Sequence, residues 1–250
     1  MRIKVQLIAN ANVMLPTGFG EYLQALVYAH LNSDSGEWLH DDGFRYEKRS
    51  FKLFCFSSIL EKGKFDKRAQ SFEFPPIISF LVSSPVGWIL EQLAGNLIKS
   101  ESVRLGANTL AVSSVEIQKI GVIESNAATV RAVTPIEAHS TFTLESGKKK
   151  THYYTPYEEE FSDLVCKNLQ KKWQAFYNEE CPDSLAIKPL FQGSSNERIV
   201  YFGGGENKTV VKGWKGYYRL EGDPAFISFA LDAGLGGRNS QGFGMVEVAG

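Results

Sequence analysis

Three side chains in the first part of this chain have the chemistry needed for acid–base catalysis. His40 lies in a polar stretch close to Trp38, and histidine exchanges a proton near neutral pH. Lys52 supplies a cation at the start of an apolar stretch, and Tyr28 supplies a phenol. A proton acceptor, a proton donor and a cation are what phosphoryl chemistry needs when no metal takes part. This set is therefore the first candidate for a site.

Each member of the set also has a structural interpretation. Tyr28 can be a half-buried packing aromatic, and Lys52 can be an edge-strand lysine that blocks pairing with another sheet. His40, beside Asp41 and Asp42, can be a surface histidine. Of the three, His40 is the most strongly indicated, because a histidine in an Asp-rich loop has no core to fill.

Other side chains of the same types are weaker candidates. Tyr46 is the reserve tyrosine, and His30 falls on the apolar face of a helix, which favours a core role. His139 and His152 lie in the second half of the chain and show no partner pattern. The acidic residues and the scattered cysteines have no metal-ligand spacing, so the sequence predicts neither a metal nor a cofactor.

A glycine-rich segment near residue 240 is the most specific feature of the sequence. Such backbone is expected to turn N–H groups outward to a polyanion, and polar side chains within it add donors. The structural alternative is a long turn. Because several glycines alternate with polar residues, an anion-binding role is favoured. The predicted RNA-binding residues are Gly234, Gly236, Gly237, Arg238, Asn239, Ser240, Gly242 and Gly244.

A dinucleotide-binding fingerprint is the competing interpretation of these glycines. That fingerprint lies between a strand and a following helix, with more βαβ structure after it. Here the segment follows a predicted helix and leads into a predicted strand. A nucleotide-binding metabolic enzyme is therefore disfavoured.

The elements that position these residues follow from periodicity. The first half predicts strands at Arg2–Ala9, Ser50–Ser58 and Phe72–Ser84, a strand–turn–strand at Val103–Ile120, helices at Glu21–Leu31 and Val86–Ile98, and a polar loop at Asn32–Gly43. This order is the βαββαβ unit of ferredoxin-like domains.

The second half repeats that order with added strands. Predicted helices are Pro156–Tyr177 and Pro224–Ala233, and predicted strands are Thr129–Ala138, Ala186–Leu190, Arg198–Phe202, Lys208–Leu220 and Gly242–Val248, with a turn at Gly203–Gly205. The sequence thus predicts an α+β fold of tandem ferredoxin-like domains, at residues 1–122 and 123–250, with a C-terminal glycine-rich loop.

Composition places limits on the partners. The net charge of −1 is a mild argument against nucleic-acid binding, but basic residues gather locally. The clusters are Arg45–Lys52, Lys62–Arg68, Lys148–Lys150 and Lys208–Arg219, the third being typical of a solvated face. No apolar run is long enough to cross a bilayer and no leader pattern is present, so a cytoplasmic, membrane-free protein is expected.

The glycine-rich segment and the helix before it closely resemble the C-terminal signature of the CRISPR-associated repeat-RNA endoribonucleases. This is the Cas-six family, within the repeat-associated mysterious protein superfamily. Looser landmarks of the same family are the opening strand, the helix Tyr22–Tyr28, the Trp38–His40 loop and the strand Phe51–Phe54. The resemblance implies tandem ferredoxin-like domains, and it maps the family's Tyr/His/Lys set onto Tyr28, His40 and Lys52.

The resemblance also implies the reaction. The partner is a CRISPR repeat RNA, single-stranded or hairpin, cut by its own 2′-OH without metal to leave 2′,3′-cyclic phosphate and 5′-OH ends. Which of Tyr28 and His40 is base or acid stays open, as do a homodimer and binding to CRISPR effector subunits. Members that lack the histidine bind without cutting; since His40 is present, catalysis is favoured over a non-catalytic RNA-binding subunit.

Overall fold

The computed structural model describes residues 1–144, 146–181, 185–202 and 209–249. The predicted turn at Gly203–Gly205 and the predicted strand start at Lys208 lie outside the described residues. In the part that is described, none of the helices combines the length and the apolarity needed to span a bilayer.

The first half folds as one ferredoxin-like unit with an additional three-stranded arm. Its elements are β1 Arg2–Ile8, β2 Val13–Pro16, α1 Gly20–Ala29, α2 Ser33–Asp41, β3 Phe44–Tyr46, β4 Arg49–Phe51, β5 Cys55–Phe56, β6 Lys64–Asp66, β7 Ser71–Phe74, β8 Ile77–Ser83, α3 Gly87–Lys99, β9 Val103–Leu105 and β10 Asn108–Gln118. The antiparallel main sheet has the order β5-β8-β1-β10-β9. The arm is β2-β7-β6, and β3 pairs with β4 as a hairpin.

The second half repeats the topology. Its elements are β11 Ala127–Ile136, β12 His139–Thr143, β13 Lys149–Tyr153, α4 Glu159–Tyr177, β14 Leu185–Pro189, β15 Glu197–Phe202, β16 Thr209–Gly222, α5 Pro224–Ala233 and β17 Val246–Val248. The sheet order β14-β16-β11-β17 matches β5-β8-β1-β10 strand for strand, and β15 pairs with β16. The predicted fold class is therefore confirmed. The boundary between residues 122 and 123 lies in the strand-free stretch 119–126 and stays our proposal.

Alternation along the strands places each core between the sheet and its helices. On β8, Ile78, Phe80 and Val82 are buried in the first core, which also takes in the apolar faces of α1 and α3. The second core is formed by β11, β14 and β16 against α4 and α5. Side chains point to alternate faces along a strand and return to the same face of a helix every 3.6 residues, and this repeat produces the layering.

Three predicted elements differ from the structure. The predicted loop Asn32–Gly43 contains α2, because Leu39 is fully buried and Gly36 lets the helix approach α1 closely. The predicted strand Ser50–Ser58 is interrupted where Leu53 adopts a φ of 49°, so that only β4 and β5 are strands. The predicted strand Phe72–Ser84 is divided at its two prolines, and its halves, β7 and β8, pair in different sheets.

The two units pack through sheet faces that the helices do not cover. Cys55 and Leu81 from the first unit form a small buried cluster with Met245, against Val133. Beside this cluster, the buried Arg2 donates from Nη2 to Leu231 O at 3.2 Å and to Val246 O at 2.6 Å. Leu231 lies in the last turn of α5, where carbonyl groups lack helical partners and attract a cation.

Replacing Arg2 with Met should separate the contribution of these hydrogen bonds to stability from that of the apolar contacts. Because Val246 O and Leu231 O each lose a charged donor, although Leu231 O keeps Ser83 Oγ at 3.2 Å, the free energy of unfolding should fall by about 1–3 kcal/mol, measured in urea. Lys4→Met, at a partly exposed position of the same strand, should change it by less than about 0.5 kcal/mol. Equal stability of the two variants would contradict a role for Arg2 in holding the units together.

Candidate active site and the glycine-rich segment

Tyr28, His40 and Lys52 come together although they belong to three different elements. Tyr28 lies on α1, His40 on α2, and Lys52 directly after β4. The ring centroids of Tyr28 and His40 are 5.4 Å apart, with the rings nearly perpendicular. Lys52 Nζ donates to the backbone carbonyl of His40 over 2.6 Å. The three candidates chosen from the sequence therefore lie side by side in the fold.

The location of His40 in the last turn of α2 explains the contact with Lys52. Carbonyl groups at a helix C-terminus have no intrahelical partner and carry partial negative charge. The ammonium of Lys52 satisfies one of them and also lies 3.2 Å from Ser50 Oγ. Two of its three N–H groups are thus engaged, and the third is available to a bound anion.

His40 presents an accessible imidazole. Its side chain is 70% exposed, and its Nδ1 lies 2.7 Å from Asp41 Oδ1. In the described part of the chain, no residue hydrogen-bonds to its Nε2. A histidine with one ring nitrogen held by a carboxylate and the other open to solvent can exchange a proton with a bound substrate.

Tyr28 and Lys52 are held in less polar surroundings. The ring of Tyr28 packs edge-on against Phe54, with centroids 5.6 Å apart, and burial raises the pKa of its phenol to about 12. The phenol therefore keeps its proton at neutral pH and acts as a donor. Burial also lowers the pKa of Lys52, while the nearby carboxylates of Asp41 and Asp42 act in the opposite direction.

The three side chains line two cavities. Tyr28 and His40 line an open groove of about 490 Å³ between α1 and α2. Lys52 lines a second cavity of about 510 Å³, which extends to Arg238 in the glycine-rich segment and contains Arg49 and His139. The second cavity connects the first unit to the second, so that one strand of an extended ligand can contact both.

The remaining tyrosine and histidine candidates lie elsewhere, with one exception. Tyr46 lines a separate cavity beside Glu47, and His30 binds Leu26 O through Nδ1 at 2.8 Å. His152 pairs with Glu158 at 3.1 Å on the surface. The exception is His139, which lines the same cavity as Lys52 and whose Nδ1 contacts the buried carboxylate of Glu137. The expectation that His139 and His152 have no partner is therefore wrong for both.

The glycine-rich segment, Gly234–Gly244, is packed into the protein more closely than expected. Backbone N–H groups of Gly237, Gly242 and Gly244 donate to Glu137 O, Asn239 O and Pro135 O. The expectation that these groups turn outward to a polyanion is therefore wrong for these three. Two of the acceptors, Pro135 at the end of β11 and Glu137 just after it, are distant in the chain, which no local pattern reveals.

Burial divides the predicted RNA-binding residues into two groups. Gly234, Gly236, Asn239 and Gly244 are buried, and Asn239 braces the segment by donating to Leu235 O and Phe243 O. The partly exposed members are Gly237, Arg238, Ser240 and Gly242. The first group shapes the segment, and the second forms the surface on which RNA binding stays a prediction.

Comparison with known proteins identifies the family. Residues 116–248, more than half of the chain, match the family described as "CRISPR associated protein Cas6, C-terminal". The chain belongs to the Cas6 family. A curated relative, "CRISPR-associated endoribonuclease Cas6 1" of Methanocaldococcus jannaschii, is 28% identical over 250 residues, covering 98% of this chain and 92% of the relative.

Solved structures show the same fold over the whole length of this Cas6 chain. One, "Characterization of a Cas6-related gene from Pyrococcus furiosus", superimposes with a TM-score of 0.80 at 19% identity, covering 100% of this chain and 98% of the other. Another, "An RAMP protein binding different RNA substrates", gives a TM-score of 0.79 at 20% identity and full coverage of both chains. At these identities the likeness concerns the fold.

Lys172 is a residue of this Cas6 chain that the sequence analysis missed. It lies on the buried face of α4 and donates from Nζ to Gly234 O at 2.8 Å and Gly236 O at 3.0 Å. Burial lowers the pKa of its ammonium to about 7, although the charges of the nearby Cys55 and Glu137 act to raise it. Its position three residues after Leu169, within the apolar stripe, is the signal that could have revealed it.

The described residues of this Cas6 protein contain no group of three or more His, Cys, Asp or Glu side chains arranged to hold a metal ion.

Gly244→Ala tests the close packing of the glycine-rich segment. A Cβ at Gly244, whose φ is 71°, would lie 1.9 Å from Leu235 O, so the variant should lose more than about 1 kcal/mol of unfolding free energy in urea. Gly95→Ala is the matched control. That glycine lies in α3 with no atom near the added Cβ, and alanine there should increase stability by about 0.5–1 kcal/mol. Similar losses in both variants would contradict the packing argument.

The lowered pKa of Lys172 should make stability depend on pH. Between about pH 7 and 10.5 the unfolded chain binds a proton that the folded protein does not, so the unfolding free energy should rise with pH across that range. Lys172→Met should remove this part of the slope. Urea unfolding at pH 7, 8 and 9 measures it, and Lys167→Met, at an exposed position of α4, is the control. A slope that persists in Lys172→Met contradicts the assignment.

Proposed function

We propose that this Cas6 protein is an endoribonuclease that cuts CRISPR repeat RNA without a metal ion. The observation that carries the proposal is the accessible imidazole of His40. The ring of Tyr28 lies beside it, and the ammonium of Lys52 donates to the backbone carbonyl of His40. The name of the curated Methanocaldococcus jannaschii relative agrees with this activity.

In the proposed reaction, the 2′-OH next to the scissile phosphate attacks phosphorus. His40 takes the proton of that hydroxyl, a 2′-O–P bond forms, and the P–O5′ bond breaks. The leaving 5′-oxygen receives a proton, so the products carry a 2′,3′-cyclic phosphate and a 5′-OH. DNA lacks the attacking hydroxyl and is therefore not cut.

The surroundings of Tyr28 and Lys52 favour donor roles for both. A phenol whose pKa is raised to about 12 stays protonated at neutral pH, so it can donate a hydrogen bond and is not available as a base. Lys52 keeps one N–H free of the bonds to His40 O and Ser50 Oγ, and this group is suited to stabilise negative charge on the phosphoryl oxygens. This leaves the base role to His40.

The path of the RNA is proposed from the cavity that joins Lys52 to Arg238. The repeat RNA would pass from the catalytic group over the exposed part of the glycine-rich segment, where Gly237, Arg238, Ser240 and Gly242 are accessible. Gly234, Gly236, Asn239 and Gly244 support that surface from within. Phosphate contacts of this kind position an RNA without selecting its sequence.

A non-catalytic RNA-binding subunit is the second candidate function. The path over Arg238 would serve such a protein equally well, but a free His40 imidazole beside Tyr28 and Lys52 has no role in it. Single-stranded or hairpin repeat RNA, effector subunits, a homodimer and a cytoplasmic location remain predictions.

Cleavage in EDTA tests the proposal. Purified protein and a repeat RNA should yield a cyclic-phosphate product with the chelator present, and a single 2′-deoxy substitution at the cut nucleotide should abolish the product. His40→Ala should slow cleavage by about 10²–10⁴-fold, because it removes the base, while RNA affinity changes little.

His152→Ala is the control, because His152 is also an exposed histidine beside a carboxylate. It should cut at the wild-type rate. Loss of activity in EDTA, or a His40→Ala enzyme as fast as His152→Ala, would refute the mechanism. Tight binding with no product from any variant would favour the non-catalytic candidate.

A further inference from the structure

A second histidine–carboxylate pair lies on the opposite wall of the cavity that contains Lys52. Glu137, between β11 and β12, is fully buried, and its carboxylate contacts His139 Nδ1. The backbone carbonyl of Glu137 accepts from Gly237 N at 2.9 Å. The side chain of His139 is one-third exposed and lines the cavity. The pair is therefore fixed to the glycine-rich segment and open on one side.

The buried carboxylate determines how this imidazole can bind. With Nδ1 held by Glu137, the remaining ring nitrogen, Nε2, has no hydrogen-bond partner among the described residues. In a ring that carries both protons, Nε2 is a hydrogen-bond donor. The orientation is set by a group that solvent does not reach, so Nε2 keeps its direction without a ligand.

The cavity around His139 contains more positive than negative charge. Arg49, Lys52, Lys172 and Arg238 line it together with His139, and no carboxylate does. In the adjoining hollow of about 170 Å³, Glu137 is the single acidic residue that lines the wall. One buried carboxylate does not balance these cations, so the cavity is suited to a further anion.

Two arginines line this cavity. Arg49 is exposed and forms no ion pair with a described residue. Arg238 Nε is buried 3.8 Å from Glu137 Oε1, and its Nη1 donates to Gln241 Oε1 at 3.1 Å. An arginine, an imidazole and a second arginine around one space are typical of a phosphate site.

We infer that His139, oriented by Glu137, binds together with Arg49 a phosphate of the RNA other than the one that is cut. The inference rests on the proposed function, because the cavity leads from Lys52 to the glycine-rich segment. His139 acts as a positioning residue: it holds the strand across the junction of the two units while the bond is broken at His40.

Neutral phosphate linkages provide the test. A set of repeat RNAs is made with 2′-deoxy at the cut nucleotide and one methylphosphonate at each flanking position in turn. Against wild-type protein, one of these linkages should weaken binding by about tenfold, because it removes a charge-assisted hydrogen bond. Against His139→Asn, the same linkage should have a clearly smaller effect, since one of the two partners of that phosphate is already absent.

His152→Asn is the matched control, because it removes an exposed imidazole from the same hairpin and leaves the cavity unchanged. Its methylphosphonate profile should equal that of the wild type. Arg49→Gln, at an exposed hairpin position, should lose sensitivity at the same linkage and keeps the test usable if His139→Asn does not fold.

Cleavage of the all-phosphate RNA by the same variants separates this inference from the proposed function. At saturating protein, His139→Asn should still yield the cyclic-phosphate product, because the residue binds the strand and does not transfer a proton, whereas at limiting protein its rate should fall with its RNA affinity. Identical methylphosphonate profiles for wild type, His139→Asn and Arg49→Gln would overturn the inference while cleavage persists. Absence of cleavage in every protein would overturn the proposed function, whatever the binding profiles show.

Discussion

The arrangement of this molecule depends on one buried ammonium beneath the glycine-rich segment. Lys172 joins α4 to the carbonyls of Gly234 and Gly236, and on the other side Glu137 holds Gly237. Because these partners approach so closely, a Cβ at Gly236 would lie 2.2 Å from Glu137 O. This close packing is the first reason why these positions must be glycine. It also holds the partly exposed Arg238 at the surface.

The segment fixed in this way also joins the two units. Gly242 lies against the ring of Phe56 on β5, and Met245 contacts the buried cluster of Cys55 and Leu81. The catalytic candidates belong to the first unit and the glycine-rich segment to the second, so their separation is set by this contact.

Periodicity and turn chemistry were sufficient to predict the repeated βαββαβ order, because apolar faces recur at the spacing of strands and helices. They failed at α2, where Ser, Asp and Gly suggest a loop and only the packing of Leu39 and Gly36 on α1 makes a helix favourable. Tyr28, His40 and Lys52 were identified through a family resemblance. Their contacts depend on the fold of three separated elements.

Lys172 and the pair of Glu137 with His139 were missed for a related reason. Their partners are distant in the chain, and a lysine on a helix or a histidine two residues after a glutamate is ordinary in a sequence. Only the folded chain shows that the lysine is buried and that the glutamate has no contact with solvent. Buried charge is a property of tertiary structure, which local patterns do not contain.

The exposure of His40 has an evolutionary consequence. A side chain that is 70% open to solvent contributes little to the stability of the fold, whereas the groups that seat the glycine-rich segment are internal. In the proposed mechanism, a single codon change at His40 would therefore silence cutting and leave the scaffold and its glycine-rich segment intact.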